Sequence, residues 1–69
     1  MDIRRYVGRE VRRLRVERGL SQEDLADASG LHRTYISAIE RGLKNATLDS
    51  LERLAKALKA APADFPPRK

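Results

Sequence analysis

Apolar residues recur at three- and four-residue spacing in four stretches of this chain, each closed by glycine, by proline or by a polar loop, and that period predicts helices throughout. Ile3, Val7, Val11 and Leu14 lie at helical spacing with arginines between them, and Gly19 supplies a stop, so residues 3 to 18 are predicted as the first helix. Ser21 is a good N-cap for the second. Glu23 and Asp24 follow in the first turn, where the helix dipole favours anions, and Leu25 and Ala28 fall on one face until Gly30. The pattern resumes at about His32, placing Ile36 and Ile39 on one face, and runs to Arg41 and Gly42. A polar loop over residues 42 to 46 precedes Thr47, the N-cap of a fourth helix expected to bury Leu48, Leu51, Leu54, Ala55 and Leu58. A short fifth helical turn is predicted to begin at Pro62, which suits a first helical position, to dock Phe65, and to end at Pro66 and Pro67, leaving residues 66–69 as a frayed tail.

No stretch shows sustained two-residue alternation with branched and aromatic enrichment, so the expected fold class is all-α: five helices in one domain over residues 1–69, sharing one core. The core candidates are Leu14, Leu20, Leu25, Leu31, Ile36, Ile39, Leu51, Leu54 and Leu58. At 69 residues such a core is only marginally stabilising, and without cysteine no disulfide can supplement it, so oligomerisation would help. No apolar run approaches secretory or membrane-spanning length, which makes the cytoplasm the expected location.

Fifteen Lys and Arg against ten Asp and Glu give a net charge of +5, which suits a polyanionic partner such as nucleic acid. The charge is uneven: Arg4, Arg5, Arg9, Arg12, Arg13, Arg15 and Arg18 crowd the first helix, while Glu23, Asp24 and Asp27 make the second acidic. For most of these arginines a solvated helix surface is an equally good account. Enzyme chemistry is excluded on composition, since one histidine, no cysteine and no glycine-rich phosphate loop leave no nucleophile and base to assemble. The same scarcity argues against a metal, and no cofactor or small-molecule ligand is expected. Stacking aromatics for single-stranded bases are missing, which disfavours RNA.

Two short amphipathic patterns about Gly30, with almost no linker, read as a helix-turn-helix, and with the basic charge they point to DNA binding. With these residues in place, the chain resembles the lambda-repressor-like, Cro-type helix-turn-helix family from about Val7 to Phe65. The string GLHRTYISAIERGLKNATLDSLERLAKAL is more narrowly similar to the controller proteins of restriction-modification systems, most of all at HRTYIS, IERG and the following Asn45. The resemblance implies five helices and a transcription regulator that binds a pseudo-palindromic operator of double-stranded DNA as a homodimer. Its third helix would enter the major groove. A groove of that width admits a helix, and a two-fold dimer would set its two reading helices roughly 34 Å apart. The other class of function open to this fold is a protein-interaction module, an antitoxin or a coactivator.

The resemblance also implies roles for single residues. Arg33, Thr34, Ser37, Ala38 and His32 are the base-facing candidates; Arg33 leads them because a guanidinium can grip guanine O6 and N7 together, with a phosphate contact as its alternative. His32 falls at an N-cap where related sequences have Asp or Ser, which predicts a poorly capped helix start, and its ring has the DNA backbone, in preference to a metal, as its other expected contact. Gln22, beside free N–H groups at the start of the second helix, is expected to anchor a phosphate. Tyr35 either reaches a phosphate through its hydroxyl or serves packing alone. Arg41 and Asn45 are expected to hold the sugar-phosphate chain, with Lys44 either joining them or remaining a solvated charge. Arg15 and Glu40 fall where related proteins have a buried ion pair and are assigned to structure. Glu23 and Asp27 share one face of the second helix, either as a solubilising acidic turn or as a contact for RNA polymerase. Leu43, Leu58 and Phe65 are expected to form a weak dimer face.

Overall fold

The computed structural model of the protein describes residues 2–61. Among these residues four α-helices run in the order α1 (Ile3–Glu17), α2 (Gln22–Ser29), α3 (Arg33–Glu40) and α4 (Leu48–Leu58), with no strand. The predicted fifth turn from Pro62, the docking of Phe65 and the tail over 66–69 lie outside the described residues.

Each start is set by a side chain that accepts an otherwise unpaired backbone N–H. Asp2 takes the amide of Arg4. Ser21 and Asp24 form a reciprocal capping box: the Asp24 amide donates to Ser21 Oγ and the Ser21 amide donates to Asp24 Oδ2, both at 2.9 Å. The Ser21 backbone hydrogen bond holds the Asp24 carboxyl below its ordinary range. Thr47 caps α4 by accepting the amide of Ser50. α2 ends at Gly30, whose φ of 74° is left-handed backbone that costs a glycine little and lets the chain turn into α3 within three residues.

α1 packs across α3, α2 packs on both α3 and α4, and α1 also touches α4. The core between them consists of Val11, Leu14, Leu25, Ile36, Ile39, Leu54, Ala55 and Leu58. Leu20, Leu31 and Leu51, expected in the core, pack against it half-buried. Leu48 corrects the sequence expectation: at the first position of α4 it shares the apolar stripe, yet it is 85 % exposed, while Ser50 in the same turn is buried. Ala28 is exposed as well. Ser29 takes the inner position instead, its Oγ donating to the Ala26 carbonyl and accepting the Leu31 amide across the turn.

Gly8 gives the α1/α3 crossing its closeness. A Cβ there would collide with the Ile39 carbonyl oxygen and lie 2.9 Å from that of Glu40, so α3 rests against bare backbone of α1.

Candidate nucleic-acid interface

Burial splits α3 into two sides. Ile36 and Ile39 are fully buried, Ser37 and Ala38 are half-buried on its flanks, and His32, Arg33 and Thr34 stand exposed at its start. The His32 ring caps that start better than expected: Nδ1 accepts the Thr34 amide at 3.1 Å and lies 2.7 Å from Thr34 Oγ1. An accepting Nδ1 puts the proton of the neutral ring on Nε2, leaving an N–H donor that no protein acceptor takes among the described residues. Arg33 is 64 % exposed at its side chain, and its Nη1 lies 3.9 Å from Glu23 Oε1 across the mouth of the turn. At such exposure the pair is worth little and leaves the guanidinium free to exchange partners. Asp27 is also exposed, and with Glu23 it lines a shallow depression that His32 and Arg33 close on the other side.

The far end of α3 is tied down. Glu40, with a side chain only 2 % exposed, accepts two parallel hydrogen bonds from Arg15, Nε to Oε2 at 2.7 Å and Nη2 to Oε1 at 3.0 Å. Arg15 also donates from Nη1 to the Leu20 carbonyl at 2.8 Å, so one guanidinium joins α1, α3 and the turn after α1. The carboxylate beside it raises the guanidinium pKa further above its ordinary value. Gln22 Nε2 donates to Glu40 Oε1 at 3.2 Å, which brings the first residue of α2 into the same network. Sequence reasoning placed Gln22 on a phosphate and did not foresee this contact. The amide keeps a second N–H and its oxygen for any outside partner.

Tyr35 is half-buried, with its hydroxyl donating to Ser50 Oγ at 3.1 Å and accepting the Thr47 amide at 3.4 Å. It therefore fastens α3 to the start of α4, a link without any local signature, because Ser50 reads as an ordinary polar position. Lys44 places its ammonium 5.9 Å from the Tyr35 ring centroid. Arg41 and Asn45 are exposed in the same loop, Arg41 donating from Nε to the Ser37 carbonyl at 3.4 Å. Leu43 is 61 % exposed there, whereas Leu58 is fully buried under α4. Leu58 thus belongs to the core and is removed from the expected dimer face: its side chain packs among the other buried core residues, while Lys56 and Lys59 beside it are exposed. Phe65 lies outside the described residues.

These features set a short helix with a polar, cationic leading edge on a rigid support, next to a loop bearing Arg41, Lys44 and Asn45. The chain is 48% identical over 93% of its length to Control protein C.BamHI of Bacillus amyloliquefaciens, covering 80% of that protein. It is 53% identical over 84% of its length to Control protein C.SmaI of Serratia marcescens, covering 69% of it. Among solved structures it superposes on the restriction-modification controller protein C.AhdI from Aeromonas hydrophila with a TM-score of 0.87 and 42% identity, over 90% of this chain and 94% of that one. Residues 11–65 match the helix-turn-helix family, and the chain belongs to it.

Proposed function

We propose that the protein is a sequence-specific, double-stranded-DNA-binding transcription regulator of the restriction-modification controller type, acting in the cytoplasm as a dimer on a pseudo-palindromic operator. α2 and α3 are its helix-turn-helix, and α3 is the helix that enters the major groove. The observation that carries this reading is the contrast along α3: Glu40 is locked to Arg15 and Gln22, while Arg33, 64 % exposed, and its neighbours His32 and Thr34 are left open. A related controller, C.Esp1396I, is a tetramer on its natural 35 base-pair operator, and it is 42% identical to this chain with a TM-score of 0.85 over 94% of it.

In this arrangement Arg33 reads guanine through O6 and N7, Thr34 meets a thymine methyl or a base edge, and Ser37 and Ala38 face the groove from the flanks. The His32 Nε2–H, Gln22, Tyr35, Arg41, Lys44 and Asn45 line the phosphates. Tyr35 and Gln22 do so as parts of the support, since each is already bonded to another helix. Leu43 remains for a weak dimer face. Glu23 and Asp27, which DNA would repel, are left for a protein partner such as RNA polymerase.

Selection of bound duplexes from a random pool tests the reading. An enriched sequence with two inverted half-sites centred about one helical turn apart is expected. A pool with no enriched sequence overturns it.

A further inference from the structure

The arginines of α1 are not equivalent. Arg4 pairs with Asp2, Arg13 with Glu10 and Glu17, Arg15 with Glu40, and Arg18 with Glu17. Arg5, Arg9 and Arg12 are exposed, and no carboxylate or carbonyl holds any of their guanidinium groups among the described residues. At spacings of four and three these residues form one row along α1, with Val16, 57 % exposed, extending it by another turn. A helix surface that pairs its other arginines leaves these three cations aligned and uncompensated.

The row is continuous with the interface described above. Arg5 lies against the start of the loop after α3: a Cβ on Gly42 would be 2.9 Å from Arg5 Cγ and 3.3 Å from its Cα. From there the row runs along α1 for about 10 Å, at 1.5 Å of helix rise per residue. Successive phosphates of one strand lie further apart than their axial rise of about 3.4 Å, so a row of that length, with long side chains, can meet about two to three of them.

We propose that Arg5, Arg9 and Arg12 form a second phosphate-binding strip, which takes the sugar-phosphate backbone of duplex DNA flanking the half-site read by α3. The inference rests on the DNA-binding reading and extends it to a helix outside the helix-turn-helix. The strip carries no sequence information; it adds affinity, and that affinity depends on salt and on DNA length.

The test titrates wild-type protein, an Arg12→Gln variant and an Arg5→Gln/Arg9→Gln/Arg12→Gln variant against two duplexes. One ends at the selected operator; the other continues for about one helical turn on each side. All three side chains are exposed and glutamine is a good helix former, so circular dichroism and melting should match the wild type. On the longer duplex the slope of log affinity against log salt should become shallower by about 0.9 for each phosphate that is no longer neutralised, about 1 for the single variant and 2 to 3 for the triple one. The wild type should gain affinity from the flanks and the triple variant should not, with the preferred sequence unchanged in all three. Equal slopes and equal gains in wild type and triple variant overturn the strip while leaving the DNA reading intact, and would assign the row to solvent or to an acidic protein surface. Failure of the wild type to prefer any duplex sequence overturns the DNA reading itself.

Discussion

α3 is only eight residues long, and its two ends are built in opposite ways. At the C-terminal end, Glu40 is 2 % exposed at its side chain and bonded to two other segments, and the backbone of Ile39 and Glu40 presses on Gly8. At the N-terminal end, Arg33 is 64 % exposed and holds one long, solvated ion pair. One end fixes where the helix points and the other is left to meet something outside. Substitutions at the first should therefore cost stability, and those at the second should cost recognition.

The sharpest test is Glu40→Ala. It would leave the Arg15 guanidinium buried beside the core without its counter-charge, and losing one partner of a buried pair costs about 3 to 5 kcal/mol. For a domain of this size that is a large part of the total stability, so urea denaturation should show a chain partly unfolded in buffer alone. A loss below about 1 kcal/mol would show that the C-terminal end is not the anchor.

Gly8→Ala comes next. In an exposed helix interior this change would gain about 1 kcal/mol from propensity. Here the new methyl meets the Ile39 carbonyl and must push α3 off α1, and overpacking of this kind costs about 1 to 3 kcal/mol. A melting temperature at or above the wild type would mean that the two helices do not approach so closely.

At the other end, Arg33→Ala should leave denaturation within about 0.5 kcal/mol of wild type. It should instead remove about 1 to 3 kcal/mol of discrimination at one base pair of each half-site, visible as a relaxed position in binding-site selection. Gln22→Ala lies between the extremes. Its amide reaches Glu40, so it should weaken all sites alike and also lower the denaturation midpoint. If Arg33 and Gln22 variants behaved identically, the division of labour along α3 would collapse.

The caps and stops made most of the fold legible in the sequence: Ser21, Gly30 and Thr47 mark boundaries because they satisfy or relieve backbone groups locally. What depends on distant packing was not legible. Periodicity puts Leu48 on the buried stripe of α4, but tertiary packing decides which positions of a first turn are hidden, and here it hides Ser50 and leaves Leu48 out. Leu58 suits both the core and a dimer face by its spacing, and packing against the other helices has given it to the core alone. Gly8 carries a signal of its own, a costly residue in mid-helix between Val7 and Val11 that makes sense only against a close partner. At the candidate site the Arg15 and Glu40 positions came from the family resemblance, not from charge pattern, since nothing local links residues 25 apart. The joining of Gln22 to Glu40 and of Tyr35 to Ser50 was invisible for the same reason.

The smallest expected effect separates the two ends most finely, because one substitution at His32 should move stability and binding in opposite directions. His32→Asp keeps a side-chain acceptor for the Thr34 amide and places a negative charge at the positive end of the α3 dipole, a gain of about 0.3 to 1 kcal/mol. The same carboxylate replaces an Nε2–H donor with an anion where the phosphates are expected, so operator affinity should fall, most of all at low salt. A melt and a salt-dependent operator titration on one preparation read both effects. Should stability and affinity rise together, the leading edge of α3 would not be facing a polyanion.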